Sequence, residues 1–98
     1  MRVTWREEKR RLNQRKHGLD FSLAEQVVSD PFAVTVFDRV ENGEERWHSI
    51  GAVPAGASFK VVVVVHTYAK PGDDTWIHVI SLRPANPAER RRYEVSNL

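Results

Sequence analysis

The chain contains no cysteine, and this absence removes several classes of chemistry at once. Disulfide bonds, zinc sites made of thiolates and a cysteine nucleophile are all excluded. The sequence also lacks a glycine-rich phosphate loop, a dinucleotide-binding fingerprint and a nucleophile elbow. Its four histidines include no pair at i, i+4 and no His-x-His, so their spacing does not indicate a metal site. We therefore predict neither a metal nor any other cofactor.

Long apolar runs are scarce as well. The longest, the five valines at 61–65, is far shorter than the ~20 residues of a membrane-spanning helix. The first residues include Arg2, Arg6 and Glu7, where a signal peptide would be apolar. We therefore expect a cytoplasmic protein without a membrane partner. With 98 residues, five glycines and five prolines, the sequence is typical of one globular domain spanning residues 1–98.

Charge is distributed unevenly along the chain, although the net charge is only +2. Residues 1–17 hold seven Lys or Arg against two Glu, and residues 83–92 hold four Arg against one Glu, so the segment between them is acidic. If the fold brings the two basic ends together, they form a positive surface suited to a phosphate backbone. The alternative is two solvated helix faces without a nucleic-acid partner.

Two helices are predicted at the N-terminus. A Thr-x-x-Glu capping box at 4–7 predicts a helix that continues to about residue 17 and ends at Gly18 in the left-handed conformation. This helix has few apolar positions, so most of its surface should face water or a partner. Apolar residues at helical spacing predict a second helix up to about residue 29, with Ser22 as its N-cap.

Strands follow the second helix, and they give an α+β fold. Turn-type clusters separate four segments with strand character and predict an antiparallel meander, at about 33–38, 45–53, 59–68 and 75–82. The valine run is apolar on both faces, so it should be the central strand, with the helices packed on one side. Val3 can add an edge strand. Asn86 and Pro87 predict the cap and first turn of a short final helix.

Arg83 ends a strand that is otherwise apolar, and alternation places it on the same face as Ile77 and Val79. A guanidinium is costly to remove from water, so Arg83 should find a carboxylate or point into a cleft. Two interpretations remain open. One is a structural ion pair with Glu45 or Glu89, and the other is an anion clamp whose planar fork fits phosphate oxygens.

A second arginine and the histidines are further candidates for chemistry. Arg46, His48 and Ile50 share one face of their strand. His17 ends the first helix, where the helix dipole favours a protonated imidazole, and His66 ends the valine strand. A single histidine is more often structural than catalytic, so both roles stay open.

Arg, Lys, His, Glu and Tyr without a cofactor suit one reaction well. In RNA cleavage the substrate's own 2′-OH attacks the adjacent phosphate, so a protein must accept a proton, donate a proton and stabilise charge on the phosphate. General acid–base catalysis contributes roughly 10²–10⁴ in rate, and one well-placed donor contributes a few kcal/mol. The available side chains are therefore sufficient for a metal-independent ribonuclease.

Considered together, the candidate residues resemble the BrnT family, the toxin half of a bacterial type II toxin–antitoxin pair. The resemblance extends from Trp5 to Tyr93 and rests on the combination of motifs. The motifs are Trp5 with Lys9 and Asn13, "KHG" at 16–18, Phe21, "DP" at 30–31, "EER" at 44–46, "IG" at 50–51, "HT" at 66–67, "IS" at 80–81, Arg83, "ER" at 89–90 and Tyr93.

This resemblance implies a RelE-like ribonuclease fold with two N-terminal helices, an antiparallel meander and a short C-terminal helix. It implies metal-independent endoribonuclease activity that cleaves RNA and inhibits translation. The implied partner is a BrnA-type antitoxin with a ribbon-helix-helix part, which neutralises the toxin. Contact with operator DNA is then expected only through the antitoxin.

Our hypothesis from sequence is therefore an endoribonuclease toxin with two groups of site residues. The candidates for phosphate stabilisation and proton transfer are Arg83, Arg46, His17, Glu45, His66 and Tyr93. The candidates for binding the RNA backbone are Lys9, Asn13, Lys16 and Arg90. We expect the end of the first helix to lie near Arg83 and Arg90 across one positive groove. The alternatives are a nucleic-acid-binding regulator without catalysis and a scaffold that only binds the antitoxin.

Overall fold

The structure is a computed structural model that describes residues 1–70 and 72–97. It is an α+β fold with one five-stranded sheet and three α-helices in the described residues. The elements are β1 (Arg2–Trp5), α1 (Glu7–His17), a 3₁₀ turn (Phe21–Leu23), α2 (Ala24–Ser29), β2 (Val34–Glu41), β3 (Glu44–Ala55), β4 (Ser58–Lys70), β5 (Asp73–Pro84) and α3 (Pro87–Val95). None of the helices in this part of the chain combines the length and apolar character needed to cross a bilayer.

The sheet has the strand order β1-β5-β4-β3-β2, so the predicted meander is confirmed. β4, which carries the valine run, is the central strand, as its apolar character on both faces predicts. β1 adds an edge strand parallel to β5, and it includes Val3. The tight turn between β2 and β3 is made by Asn42 and Gly43, both with positive φ, which the right-handed twist of the hairpin favours.

One face of the sheet, called the α2 face here, carries the main core. α2 and the 3₁₀ turn bury Phe21, Ala24 and Val27 against the sheet, and all three are fully buried. The strand residues in this core are Val53, Val62, Val64, Ile77, Val79 and Leu82. α2 lies so close to β3 that a Cβ at Gly51 would stand 2.5 Å from the carbonyl oxygen of Val27. Glycine at this position is therefore what allows the helix to approach the strand.

The other face, called the α3 face here, is partly covered by the final helix. Tyr93 packs against a small cluster that contains Ile50, Val63 and Ala85. The prediction that the helices pack on one side is therefore wrong, because the valine run needs cover on both faces and α3 supplies the second. The predicted cap of this helix is confirmed, since Asn86 accepts from the backbone N–H of residue 89 and a complete capping box is present.

α1 lies along the edge of β5, where β1 has ended. The pairing of β1 with β5 stops at Trp5 and Val79. Beyond that point the side chain of Asn13 bonds to both backbone groups of Leu82, accepting from its N–H at 3.0 Å and donating to its carbonyl at 2.8 Å. These are the bonds that a neighbouring strand would supply, so the amide of Asn13 completes the sheet edge.

The helix starts differ from the predicted ones. Thr4 belongs to β1, and α1 begins at Glu7 after Arg6 without a side-chain cap, so the capping box predicted at 4–7 is wrong. The reason is that pairing with β5 keeps Thr4 extended. Asp20 rather than Ser22 caps the second helical segment, because its carboxylate accepts from the backbone N–H of Ser22. The end of α1 at Gly18, with φ of 68°, is confirmed.

A β-bulge in β5 changes the side to which Arg83 points. Between the pairs Val65–Ser81 and His66–Val79, one step on β4 corresponds to two steps on β5. The extra residue reverses the alternation beyond it. Arg83 therefore lies on the α3 face and not, as alternation alone predicted, on the face of Val79.

Candidate active site

Arg83 and Glu89 form the best-defined polar pair on the α3 face. β5 supplies Arg83 and the first turn of α3 supplies Glu89, so the capping box that starts the helix also positions the carboxylate. The two guanidinium nitrogens Nη1 and Nη2 donate to the two carboxylate oxygens at 2.7 and 2.8 Å. This is the bidentate geometry that the arginine fork favours. Of the two interpretations of Arg83, the ion pair with Glu89 is therefore present in the structure.

His48 connects this pair to a second carboxylate. Its Nδ1 lies 3.9 Å from Oε2 of Glu89, and its Nε2 lies 3.4 Å from Oδ2 of Asp38, which lies at the register shift within β2. When the imidazole is protonated, each ring nitrogen therefore faces a carboxylate. About a fifth of the His48 side chain remains exposed, so the ring can be reached from solvent.

Arg46 lies two residues before His48 on β3 and on the same face of the sheet. Its Nη1 is 2.9 Å from a carboxylate oxygen of Glu41, and its Nε is buried without a hydrogen-bond partner in the described part of the chain. The register places His48 opposite Val65, and Ile50 opposite Val63. Val63 pairs on its other side with Arg83 of β5, so along the strand direction His48 lies between the level of Arg46 and the level of Arg83.

The charge state of the Arg83–Glu89 pair follows from its hydrogen bonds. Donation by Arg83 lowers the pKa of Glu89 more than burial raises it. The same bonds raise the pKa of Arg83 above its ordinary value. Both groups are therefore ionised at neutral pH, and Glu89 is a poor candidate for a general acid.

The structure gives Asn13 a structural role in place of the predicted contact with RNA. Its side chain is only 6% exposed. Besides its two bonds to Leu82, it donates to the carbonyl of Leu19 and accepts from the hydroxyl of Ser81. Every hydrogen-bonding position of the amide is in use, so no group is left for a phosphate.

His66 also differs from its predicted role in proton transfer. The side chain is 1% exposed on the α2 face, and its Nε2 lies 2.8 Å from the hydroxyl of Ser49. Burial lowers the pKa of His66 to about 4. A substrate cannot reach this ring in the structure, so we interpret His66 as part of the core.

Tyr93 and Glu45 occupy places that disfavour the proton-transfer roles predicted for them. The hydroxyl of Tyr93 donates to Asp30 at 2.5 Å and fixes α3, and burial together with Asp30 raises its pKa to about 12. Glu45 is exposed at the hairpin ends, in a concave surface that it lines with Glu44, Asp73 and other residues. The negative charge of this surface repels phosphates.

The remaining candidates lie on the helices. Lys9, Lys16 and Arg90 are exposed, and His17 is half-buried at the end of α1. No hydrogen bond or ion pair joins the end of α1 to Arg83 or Arg90 within residues 1–70 and 72–97. The positive groove predicted between these helices therefore stays a prediction.

Sequence reasoning missed His48 and Asp38 as site residues. The signal for His48 was present, because it shares a strand face with Arg46 two residues away. The signal for Asp38 was not, since a register shift next to it in β2 decides where its side chain points. In the part of the chain that the structure describes, no group of three or more His, Asp or Glu side chains is arranged to hold a metal ion.

Burial of His66 predicts that the protein loses stability as the pH falls. In the unfolded chain the imidazole titrates near its ordinary pKa of 6.5, and in the folded protein only at about 4, so the unfolded state binds more protons between these values. At pH 4.5 the free energy of unfolding should fall by about 2–3 kcal/mol on this account. Urea unfolding of the wild type and of His66→Gln at pH 7 and pH 4.5 measures the effect.

The variant should show a smaller loss between the two pH values than the wild type, because its side chain does not titrate. Carboxylates that titrate in the same range affect both proteins equally, so the difference between the two isolates His66. Equal losses would show that His66 does not contribute to the acid sensitivity.

Most of the chain matches a known protein family. The model of a family described as "Ribonuclease toxin, BrnT, of type II toxin-antitoxin system" matches residues 5–89. No curated protein sequence matches the chain. The family match covers most of the sequence, including β2, β3, β5 and the first turn of α3. These elements carry the residues called the polar cluster here, which are Asp38, Arg46, His48, Arg83 and Glu89. It confirms the family indicated by the sequence motifs: the chain belongs to the BrnT family of ribonuclease toxins of type II toxin–antitoxin systems.

Proposed function

We propose that this protein is a metal-independent endoribonuclease toxin whose active site is the polar cluster on the α3 face. The observation that carries the proposal is the position of His48, which faces two carboxylates and stands between Arg46 and Arg83. Family membership supports RNA as the substrate and an antitoxin as the protein partner. The cluster adds the side chains that metal-free cleavage requires.

Arg83 and Arg46 bind the scissile phosphate in this proposal. Glu89 uses one edge of the Arg83 guanidinium and Nη1 also donates to the carbonyl of Pro84, so Nε and the second Nη2 hydrogen can donate to phosphate oxygens. Glu89 thereby holds the fork in place before the substrate arrives. Arg46 stabilises the added negative charge from the other side of His48.

His48 supplies a proton to the leaving group. The 2′-OH of the substrate loses its proton to a base, the 2′-oxygen bonds to phosphorus, and the bond from phosphorus to the 5′-oxygen breaks. Protonated His48 donates to that 5′-oxygen. The products are a 2′,3′-cyclic phosphate and a 5′-hydroxyl end. The carboxylate oxygens of Asp38 and Glu89 lie 3.4 and 3.9 Å from the two ring nitrogens, farther than a normal hydrogen bond, so a ring N–H stays available to the 5′-oxygen.

Exposed cations on the helices hold the rest of the RNA backbone. Lys9, Lys16 and Arg90 are exposed, so their long side chains can reach the phosphates of a flexible RNA chain. His17 belongs to this group rather than to the chemistry, because the cluster on the α3 face already contains a histidine.

The partner in this proposal is a BrnA-type ribbon-helix-helix antitoxin, which neutralises the toxin and provides the only contact with operator DNA. The order of helices and strands is compatible with the RelE-like fold that the sequence resemblance implies, and we propose that relationship as well. Cleavage of messenger RNA in the cytoplasm would inhibit translation.

Replacement of Arg83 by alanine tests the proposal. We expect about a hundredfold slower RNA cleavage in the presence of a chelator, because one preorganised cationic donor is lost. The assay uses the purified protein with labelled RNA, both free and in a translating extract. Lys60→Ala is the matched control, since Lys60 is an exposed cation on β4 outside the cluster. Thermal unfolding checks that both variants fold.

Full activity of Arg83→Ala would remove Arg83 from the mechanism, and loss of wild-type activity with chelator would contradict metal independence. RNA binding without any cleaved product would favour the non-catalytic regulator. Harmless expression of the wild-type chain, with normal antitoxin binding, would favour the scaffold.

A further inference from the structure

We propose that His78, oriented by Thr4, is the base that accepts the proton of the 2′-OH, opposite His48. This inference rests on the proposed function, because it adds the second half of the same reaction. The reaction needs a proton acceptor as well as a donor. In the polar cluster His48 is the donor, and the carboxylates of Asp38 and Glu89 are already paired with Arg39 and Arg83.

His78 lies on the same face of the sheet as the cluster. It pairs in register with Thr67 of β4, while its neighbours Ile77 and Val79 are buried in the core of the α2 face. On the other side of β4, the pairing with β3 ends at Trp47 and His66, and Arg46 is the next residue of β3, at the level of Thr67. Arg46 and His78 therefore flank the central strand at the same level of the sheet.

The spacing of the two histidines suits a single phosphodiester. His48 and His78 are separated by β4 and by one two-residue step along the strands. Standard strand geometry puts their Cα atoms roughly 12 Å apart, with both side chains rising from one face. Arg46 shares the face of His48 two residues away on β3 and lies across β4 from His78, so a phosphate bound to Arg46 would have His48 along the strand and His78 across it.

A hydrogen bond to Thr4 sets the tautomer that a base requires. The hydroxyl of Thr4 donates to the carbonyl of Ile77 at 3.4 Å, and its oxygen lies 3.0 Å from Nδ1 of His78. In this proposal the hydroxyl keeps its hydrogen on the carbonyl of Ile77 and accepts from Nδ1–H of His78. Nε2 then carries the free lone pair, and it has no hydrogen-bond partner among the residues that the structure describes.

The proton balance of the reaction is then complete. Nε2 of His78 takes the proton of the 2′-OH as the 2′-oxygen bonds to phosphorus. The phosphorus–5′-oxygen bond breaks, and His48 returns one proton to the 5′-oxygen. Attack and departure occur on opposite sides of phosphorus, which agrees with two histidines on opposite sides of β4.

The decisive experiment compares two RNA oligonucleotides of a sequence that the wild type cleaves, one normal and one with sulfur in place of the 5′-oxygen at the scissile bond. A sulfur leaving group departs without a proton. On normal RNA, His78→Asn and His48→Ala should each lower kcat at least a hundredfold. On the sulfur substrate, His48→Ala should return to within about tenfold of the wild type, whereas His78→Asn should stay a hundredfold slower.

Asparagine keeps a donor toward Thr4 but cannot accept the proton, so His78→Asn separates chemistry from structure, and thermal unfolding verifies its fold. Activity of His78→Asn within threefold of the wild type would overturn the inference and leave the role of His48 intact. Recovery of His78→Asn on the sulfur substrate would also overturn it. Absence of wild-type cleavage would instead contradict the proposed function.

Thr4 is a positioning residue in this scheme. Thr4→Ser retains the hydroxyl and should keep normal cleavage, while Thr4→Val should lose about tenfold in kcat with little change in KM. Equal activity of the serine and valine variants would show that Thr4 does not set the tautomer of His78.

Discussion

Replacement of His48 by alanine is expected to slow RNA cleavage about a thousandfold, while antitoxin binding and folding remain normal. The proton for the leaving 5′-oxygen would then have to come from water, and general acid catalysis contributes roughly 10²–10⁴ in rate. The loss should appear in kcat rather than in KM, because Arg46 and Arg83 still bind the phosphate. Single-turnover cleavage of labelled RNA measures it.

Imidazole added to the solution provides a sharper readout. His48→Ala leaves a space beside Asp38 and Glu89, where free imidazolium can bind and donate the proton. Partial recovery of the rate with increasing imidazole is expected for His48→Ala and not for Arg83→Ala. Lys60→Ala serves again as the control outside the cluster. A His48→Ala protein with wild-type kcat would remove His48 from the chemistry.

Patterns that depend on neighbouring residues predicted the secondary structure well. The turn clusters, the end of α1 at Gly18 and the cap of α3 at Asn86 all occur as predicted. Each depends on the backbone preferences of a few consecutive residues, which the sequence displays directly. The central position of the valine strand also followed, because only a strand covered on both faces can be apolar on both.

The position of side chains around the sheet could not be predicted in the same way. Arg83 was assigned to the wrong face because one bulge reverses the alternation of β5, and no residue in the sequence marks that bulge. Thr4 and Glu7 match a capping box, but pairing with a strand more than seventy residues away keeps Thr4 extended. Contacts between distant segments decide both cases.

The histidines show why the candidate site was only partly predictable. His48 and His66 both lie in strands and are indistinguishable by local pattern. The face that α2 covers decides that His66 is buried, while the face that α3 leaves partly open decides that His48 is accessible. Arg83 was predicted because a cation in an apolar strand is unusual wherever it points, whereas Arg46 was predicted through the family resemblance.

Asn13→Asp is expected to destabilise the fold by about 3–5 kcal/mol, the largest effect on stability that the structure predicts. The substitution barely changes the shape of the side chain, but it replaces an NH₂ group by an oxygen. That oxygen would face the carbonyls of Leu19 and Leu82 inside a site that is only 6% exposed. Two acceptors lose their donor, and a charge is buried without a cation. Urea unfolding at pH 7 measures the loss.

Gln14→Glu is the matched control, because it makes the same chemical change on the next residue of α1, which is exposed, and should alter stability by no more than about 0.5 kcal/mol. The pair of variants also decides between the two roles considered for Asn13. If it completes the sheet edge, Asn13→Asp loses stability, and its cleavage rate falls only as far as its folded fraction does. If it contacts RNA, the variant remains stable and KM rises. The second outcome would restore the role that sequence reasoning assigned to Asn13 and contradict the one that its four hydrogen bonds indicate.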